Sequence, residues 1–182
     1  MGSKSSHANR GRAWEKTLEM FHRRYESTRL AVVVRTPPPV RILRAVKPGQ
    51  FLAVYEKQGP PDYILIADGV AVMAEAKHTA SKRWPLANVH AHQAERLDGW
   101  LREGGASVVL LHHSSSGSSW VLMWDRLAPL WREWRDAKRR GTTRPGQASL
   151  TLSQLDALGA RFERDGYLST VLRLHRSTSD KQ

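Results

Sequence analysis

The sequence predicts an α/β domain in which helices flank a mixed central β-sheet. Short runs rich in β-branched and other apolar residues recur along the 182 residues, as expected for strands. Segments whose apolar residues repeat with the helical period lie before, between and after these runs. The resulting order is one helix, several strands, a second helix, two strands and further helices, which is typical of such a sheet.

The first helix is predicted from Asn9, a good N-cap residue, to about Thr28. Its inner face carries apolar residues at spacings of 4, 3 and 4, namely Trp14, Leu18, Phe21 and Tyr25. Three strands follow, over residues 30–34, 40–46 and 51–56, and the last two flank a turn at Lys47-Pro48-Gly49.

A tight hairpin is the most informative local feature. Two apolar runs flank Asp68-Gly69, a strong signal for a two-residue turn. If these residues form the loop, counting back along both strands places Asp62 opposite Glu75, and Lys77 lies on the same face as Glu75. Like charges directly opposed across a ladder are destabilising, so the pair calls for an explanation.

The second half of the sequence predicts the remaining strands of the sheet and the helices that cover it. Residues 78–87 read as a basic loop, and Asn88 is the predicted cap of a helix reaching about Glu103. Strands are predicted over 107–112 and 120–124, joined by a Ser/Gly linker. A helix is predicted over 125–140, and Ser153 with Asp156 resembles a capping box for a shorter one.

The charge balance bounds the class of partner. The formal net charge is +12, from 29 Lys and Arg against 17 Asp and Glu. This excess favours an anionic partner, with nucleic acid the first candidate and solubility alone the alternative. With no cysteine, neither disulfides nor a Cys-based zinc site can form.

The sequence predicts no membrane partner, because no apolar run approaches the ~20 residues of a membrane span. Residues 1–8 are polar and predict a flexible tail without a signal region, followed by a single domain over 9–182. We therefore expect a soluble, cytoplasmic protein.

Two interpretations of the acid pair remain open from spacing alone. Asp62 and Glu75 could be solvated charges at the ends of a hairpin. The residues between them are almost wholly apolar, however, which indicates strands buried on both faces. A buried opposed pair is stable only if protonated or metal-bound, and hard oxygen ligands favour Mg²⁺ or Mn²⁺. Such a metal would activate water and stabilise charge on a phosphate, with Lys77 beside it.

Asp62, Glu75-Ala76-Lys77 and the first-helix glutamate Glu15 form the PD-(D/E)xK nuclease pattern. The chain resembles the RecU-type Holliday junction resolvases over roughly residues 8–170. The matching segments are Ala8-Asn9-Arg10-Gly11, Arg35 to Val40, Tyr55 to Tyr63, Glu75 to Lys77, Trp84 to Gln93 and Gly104-Gly105. The resemblance implies a restriction-endonuclease-like fold with a short projecting β-hairpin stalk, at about residues 36–56.

The resemblance also implies roles for individual residues. Asp62 and Glu75 are expected to bind Mg²⁺, with Mn²⁺ a substitute, and Lys77 to be the catalytic lysine. Gln93 is expected to complete the site and Glu15 to orient it. Asn9 and Arg10 are expected to contact DNA.

Two departures accompany the resemblance. The approach to Asp62 is Gln58-Gly59-Pro60-Pro61, where the family usually has a Ser/Thr-rich segment. The segment from Val40 to Asp62 is shorter than usual, which predicts a stubbier stalk.

Several basic residues are candidate phosphate contacts. The stretch from Arg29 to Tyr55 has five basic residues and no acidic one, which suits DNA better than an ordinary solvated hairpin. The DNA-binding candidates there and in the basic loop are Arg35, Arg41, Arg44, Lys47, Lys82 and Arg83. The helix over 125–140 adds cations that either contact DNA arms or form a solvated face, namely Arg132, Arg135, Lys138, Arg139 and Arg140.

These inferences predict a metal-dependent endonuclease that resolves four-way DNA junctions. Paired cuts require two active sites, so a two-fold homodimer is expected. The alternatives are a nuclease of the same fold acting on flaps, nicks or duplex DNA, and a non-catalytic DNA-binding protein. Whether the protein acts at a bacterial nucleoid or is phage-encoded is left open.

Overall fold

The predicted α/β architecture is confirmed in the computed structural model, which describes residues 7–55 and 59–179. A six-stranded sheet has the order β1-β4-β5-β7-β8-β10, in which β5 and β7 are parallel and the other neighbours antiparallel. The elements are α1 His7–Ser27, β1 Val32–Arg35, β2 Val40–Lys47, β3 Gln50–Tyr55, β4 Tyr63–Ala67, β5 Val70–Thr79, β6 Arg83–Pro85, a 3₁₀ turn Leu86–Asn88, α2 Ala91–Arg102, β7 Ala106–His113, β8 Ser118–Met123, α3 Trp124–Arg140, β9 Ser149–Thr151, α4 Leu152–Leu158, β10 Ala160–Phe162 and α5 Leu168–Ser179.

Helices cover both faces of the sheet and create two hydrophobic cores. One core packs α1 and α5 against side chains that include Tyr63, Leu65 and Val72. The other packs α2, α3 and α4 against the opposite face, where Met73 and Val109 are buried. Side chains of a strand alternate between faces. Glu75 and Lys77, two and four residues beyond Met73, therefore point toward the α2 side.

The hairpin between β4 and β5 has the predicted register. Asp68 and Gly69 both have positive φ, 50° and 73°, as a two-residue turn that matches the twist of its strands requires. Ala67 pairs with Val70, and the ladder continues to Tyr63 and Ala74. Asp62 and Glu75 are the next residues outward on their two strands.

Several predictions about the elements were wrong, and helix α1 begins at His7 rather than after a cap at Asn9. Helix α2 starts at Ala91 rather than at Asn88, because residues 86–88 form a 3₁₀ turn first. Thr151 and Gln154, rather than Ser153 and Asp156, form the capping box of α4. The basic loop contains β6, which pairs with the distant β9.

The segment β2–β3 forms a two-stranded sheet separate from the main one, within the predicted stalk. Every residue of both strands is exposed. The lone hairpin contributes to neither hydrophobic core. None of the helices in the described ranges combines the length and apolar character needed to cross a bilayer.

Two irregularities in the pairing of β2 with β3 determine which side chains share a face of the hairpin. Arg41, Arg44 and Lys47 are three residues apart, a spacing that alternates faces in a regular strand. The register shifts between Ile42 and Arg44, and again between Ala45 and Lys47. Since opposed residues share a face, the shifts put the three cations on one face of the hairpin, opposite Val54, Leu52 and Gln50. The other face carries Val40, Ile42, Ala45, Phe51, Ala53 and Tyr55.

Candidate active site

Asp62 is held at the entry to β4 by the backbones of two neighbouring strands. The Thr36 N–H donates to the Asp62 carbonyl at 2.9 Å, just past the end of β1. The Ala76 N–H of β5 donates to Asp62 Oδ2, also at 2.9 Å. The carboxylate is therefore fixed against β5, beside the residue that follows Glu75.

Glu75 is a buried acid with one satisfied and one unsatisfied oxygen. Its exposed fraction is 2%. Oε1 accepts from Lys77 Nζ at 2.7 Å and from Gln93 Nε2 at 2.6 Å. Oε2 is buried and has no hydrogen-bond partner among the described residues. The Asp62 N–H also lowers the pKa of Glu75, but it forms no hydrogen bond to the buried Oε2.

Gln93 links the acid, the lysine and the start of α2. It is the third residue of the helix, and its Oε1 accepts from the His90 N–H at 3.0 Å, so it caps the helix. The same oxygen accepts from Lys77 Nζ at 3.2 Å. The remaining donor, Nε2, is thereby directed at Glu75. The predicted glutamine is thus in contact with both predicted strand residues.

Burial dominates the electrostatics of both acids. It raises the pKa of Glu75 from its ordinary 4.5 to about 7, against the opposing effect of Lys77. Burial also raises the pKa of Asp62, while the Ala76 N–H and then Lys77 oppose the rise. Both carboxylates are therefore poised to gain from a nearby cation.

Glu15 is connected to this cluster through Arg35 and is not one of its members. Arg35, at the end of β1, forms ion pairs with Glu15 and Glu19 of α1, both at 2.7 Å. The charge of Glu15 raises the pKa of Asp62 and that of Arg35 lowers it, so both act on the acid through space. The structure thus connects Glu15 to the cluster electrostatically, through an arginine next to Asp62.

The donor set fits a hard divalent cation. Within residues 7–55 and 59–179, no group of three or more His, Cys, Asp or Glu side chains could hold a metal. Two carboxylates suffice for Mg²⁺, which retains water and takes ligands from substrate phosphates. The buried, unpaired Oε2 of Glu75 is the atom that such an ion would satisfy.

The predicted DNA-binding residues lie in different surroundings. The side chains of Asn9 and Arg10 lie outside the described part of the chain. Lys82 is exposed. The guanidinium of Arg83 donates to Ser149 Oγ at 2.8 Å and to the Ser149 carbonyl at 2.6 Å, so it also anchors β9 to β6.

Sequence reasoning missed the backbone groups that build the site. The Ala76 N–H and the Thr36 N–H position Asp62, yet backbone donors carry no sequence signal. The Arg35–Glu15 pair was also missed, although both residues were singled out separately. Their spacing across 20 positions becomes a contact only once α1 lies against the sheet.

A mixed sheet covered by helices on both faces, with an opposed acid pair and a lysine on its central strands, defines the restriction-endonuclease-like class of α/β proteins. The family model of RecU, Recombination protein U, matches residues 9–148. The chain belongs to the RecU family.

Individual relatives agree with the family match. The chain is 36% identical over 121 residues to the Holliday junction resolvase RecU of Streptococcus gordonii (strain Challis). It is 34% identical over 121 residues to the same-named protein of Streptococcus pneumoniae (strain Hungary19A-6). These matches cover 63% of this chain and span only 60% and 61% of the relatives' length.

A third match is longer. The Holliday junction resolvase RecU of Geobacillus sp. (strain WCH70) is 28% identical over 178 residues, covering 94% of this chain and 87% of the relative.

Proposed function

We propose that this protein is a metal-dependent endonuclease that resolves four-way DNA junctions by paired phosphodiester hydrolysis. The observation that carries the proposal is the buried Glu75, which lies on the strand opposite Asp62. Its Oε2 has no hydrogen-bond partner among the described residues, and its Oε1 accepts from Lys77 and Gln93. The name of the relatives, Holliday junction resolvase, supports the choice of substrate.

Asp62 and Glu75 would hold the metal, with Mg²⁺ favoured and Mn²⁺ a substitute. Bound there, the ion supplies Lewis-acid stabilisation of the charge that develops on the attacked phosphate. A structural role for the pair is less satisfactory, since it leaves a buried carboxylate oxygen with no hydrogen-bond partner among the described residues.

The groups around the two acids orient their side chains or neutralise negative charge. Lys77 carries its charge 2.7 Å from Glu75 and is oriented by Gln93, so its ammonium can neutralise a nearby phosphate oxygen. Gln93 fixes the rotamer of Glu75, and the Ala76 N–H fixes that of Asp62. Arg35 holds Glu15 near the site and balances its negative charge.

The two-faced hairpin supports both a junction substrate and a homodimer. One face carries Arg41, Arg44 and Lys47 and no acidic residue, and it suits phosphates at a crowded DNA branch point. The other face is apolar yet exposed, with Ile42 and Phe51 both 58% accessible. An exposed apolar surface of this kind is typical of an interface, and a second copy supplies a matching apolar face by symmetry.

The test is cleavage of a synthetic four-way junction in Mg²⁺, beside linear, nicked and flapped duplexes of the same sequence. We expect symmetric cuts in two strands of the junction and little cutting of the other substrates. Asp62→Asn should bind the junction and leave it intact. Preferred cutting of flaps or nicks would assign the same chemistry to another substrate, and calcium-supported binding without any cutting would indicate a DNA-binding protein.

The same proposal places the protein in the cytoplasm, acting on nucleoid or phage DNA. Branched DNA arises there during recombination and repair. The net charge of +12 supports a polyanionic partner of either origin.

A further inference from the structure

A hollow separate from the acid pair lies between the start of α2 and the outer face of α3. It has a volume of about 820 Å³. Its walls are Ala87 and residues 89–91 on one side and α3 on the other. We refer to this hollow as the α3 groove.

The shape of the α3 groove is built into the core. The indole N–H of Trp131 donates to the Val89 carbonyl at 2.9 Å, which holds α3 to the opposite wall. Trp131 and Trp134 are each only 7% exposed and form the floor. A floor of buried indoles makes the groove a fixed feature rather than a gap between mobile side chains.

Four cations rim the groove along one helix face, Arg132, Arg135, Lys138 and Arg139. Arg132 pairs with Asp98 and Arg139 with Asp136, but in the described part of the chain Arg135 and Lys138 form no ion pair. Their charges lie over the indoles instead, with Arg135 Cζ 4.8 Å from the Trp131 ring and Lys138 Nζ 5.5 Å from that of Trp134. Exposed ion pairs are weak, so all four cations can be used by a polyanion.

The groove continues toward the acid–lysine cluster. His90 lines both the α3 groove and a second cleft of about 520 Å³, which is bordered by Lys77 and Ser81. A chain of phosphates leaving Lys77 therefore reaches the α3 groove by passing His90. No acidic residue other than Asp136 lines either hollow in the described part of the chain.

We propose that the α3 groove seats the DNA backbone that leads away from the scissile phosphate. The inference rests on the proposed nuclease function and adds to it a defined arm-binding surface. Regularly spaced phosphates match cations on successive helix turns, and Arg135 and Lys138 lie over the two indole rings, where a base would otherwise stack.

Salt-dependent binding tests the proposal. Arg135→Gln with Lys138→Gln keeps much of each aliphatic stem over the indoles and removes both charges. Arg126→Gln with Arg140→Gln removes two exposed charges from the same helix outside the groove, as a matched control. Binding of a junction and of a linear duplex would be measured in Ca²⁺ by fluorescence anisotropy over a series of salt concentrations.

The groove variant should flatten the plot of log affinity against log salt concentration by about 0.9 for each phosphate that the protein no longer neutralises. The control should change the slope much less, and both variants should keep the parent thermal unfolding curve. Equal slopes for groove variant and control would overturn the inference. A failure of the groove variant alone to fold would be resolved by Arg135→Lys with Lys138→Arg, which must restore the parent slope.

Cross-linking gives a second, positional test. The chain has no cysteine, so Lys138→Cys in an Asp62→Asn background provides a single thiol for a DNA photocross-linker. Cross-links should fall at one fixed distance from the cleavage site, and those from Arg126→Cys should be weak or scattered.

The two hypotheses fail separately. If junctions are not preferred over duplexes but the groove variant still flattens the slope, the junction assignment fails and the groove stands. If junctions are cut and neither slope nor cross-links depend on the groove, the groove assignment fails alone. Capture of an acidic protein segment in place of DNA would likewise overturn it.

Discussion

At the scale of single residues, Glu75 is the clearest example of a side chain that lowers the stability of the folded state. A carboxylate that is 2% exposed, and one of whose oxygens has no hydrogen-bond partner in the described part of the chain, lowers stability when ionised unless a cation binds it. Lys77 compensates only one of the two oxygens. The cost is therefore expected to be measurable in the metal-free protein.

Glu75→Gln should stabilise the metal-free protein at pH 8 but not at pH 4.5. The folded-state pKa of Glu75 is raised to about 7, so between its ordinary 4.5 and 7 the folded state holds more protons than the unfolded state. The free energy of unfolding therefore falls as the pH rises through this window, by up to about 3 kcal/mol. The amide removes this dependence.

The measurement is chemical denaturation in EDTA at several pH values, compared between parent and variant. Titration of other groups, such as the buried His22 with its pKa lowered to about 4, cancels in the difference. Mg²⁺ at pH 8 should stabilise the parent and not the variant. A variant whose pH dependence parallels that of the parent would contradict the assigned burial of the charge.

Lys77→Ala should slow cleavage by about 10²–10³-fold while junction binding in Ca²⁺ changes little, because in the proposed mechanism the lysine charge neutralises an oxygen of the reacting phosphate. Lys77 is the main influence opposing the raised pKa of Glu75, so its removal should also move the acid limb of the pH–rate profile to higher pH. Single-turnover rates across pH would show both effects. Lys16→Ala, an exposed lysine on α1, is the control, and an unshifted acid limb in Lys77→Ala would argue against the contact.

At the scale of elements, the hairpin β4–β5 shows why part of the site could be predicted from sequence. A two-residue turn with positive φ at both positions leaves one possible register, and that register brings Asp62 to Glu75. The alternation of β5 then fixes the side of Lys77. Local chemistry determined this half of the site.

The other half depends on contacts distant in sequence. The predicted cap at Asn88 was wrong because Leu86 is pinned to the Ala148 carbonyl, which tightens residues 86–88 into a 3₁₀ turn. Strand β6 exists only because β9 lies beside it. Gln93 was found through the family resemblance, and periodicity alone gives no reason to prefer it to other polar residues of α2.

Gln93 couples the stability of α2 to the geometry of the site, and substitutions should separate the two roles. Gln93→Glu keeps an acceptor for the His90 N–H and favours the helix N-terminus, so stability should be nearly unchanged. It replaces the donor to Glu75 with another acid, so cleavage should fall sharply. Gln93→Ala should lose about 1 kcal/mol of stability as well as activity.

Gln154 offers a matched control, because it accepts from the Thr151 N–H at 2.9 Å in an equivalent cap of α4. Gln154→Ala should reduce the melting temperature like Gln93→Ala and leave the cleavage rate unchanged. Thermal unfolding and single-turnover cleavage of the three variants distinguish the roles. Full activity in Gln93→Glu would remove the glutamine from the site.

At the scale of the whole molecule, exposed apolar residues concentrate on two neighbouring parts of the chain. They lie on the β2–β3 hairpin, where Ile42 and Phe51 are on the apolar face, and on the edge of the main sheet, where Val32, Val34 and Ile66 are more than half accessible. Val32 pairs with Ile66, and Val34 lies two residues along the same strand, so these three share a sheet face. Such surfaces are normally covered in the working assembly.

In the proposed homodimer, Phe51→Asp should therefore separate the two subunits without destabilising the fold of either. The side chain is 58% exposed and belongs to neither core, so the effect on monomer stability should stay within about 0.5 kcal/mol. Sedimentation velocity at micromolar concentration measures the change. Leu52→Asp, on the basic face of the same strand, should remain dimeric and bind DNA less tightly, and a monomeric Leu52→Asp would reverse the assignment of the two faces.

Mixed dimers test whether two sites act on one junction. In a two-fold dimer each subunit cuts one strand, so a dimer with one parent subunit and one Asp62→Asn subunit should nick the junction and release few resolved duplexes. Differently tagged subunits, co-expressed and purified through both tags, supply this species, and denaturing and native gels of one reaction separate nicking from resolution. The matched preparation pairs the parent with Lys16→Ala and should resolve normally. Resolution at the parent rate by the Asp62→Asn mixture would mean that one site makes both cuts in turn, and the apolar hairpin face would then need a role other than pairing the active sites.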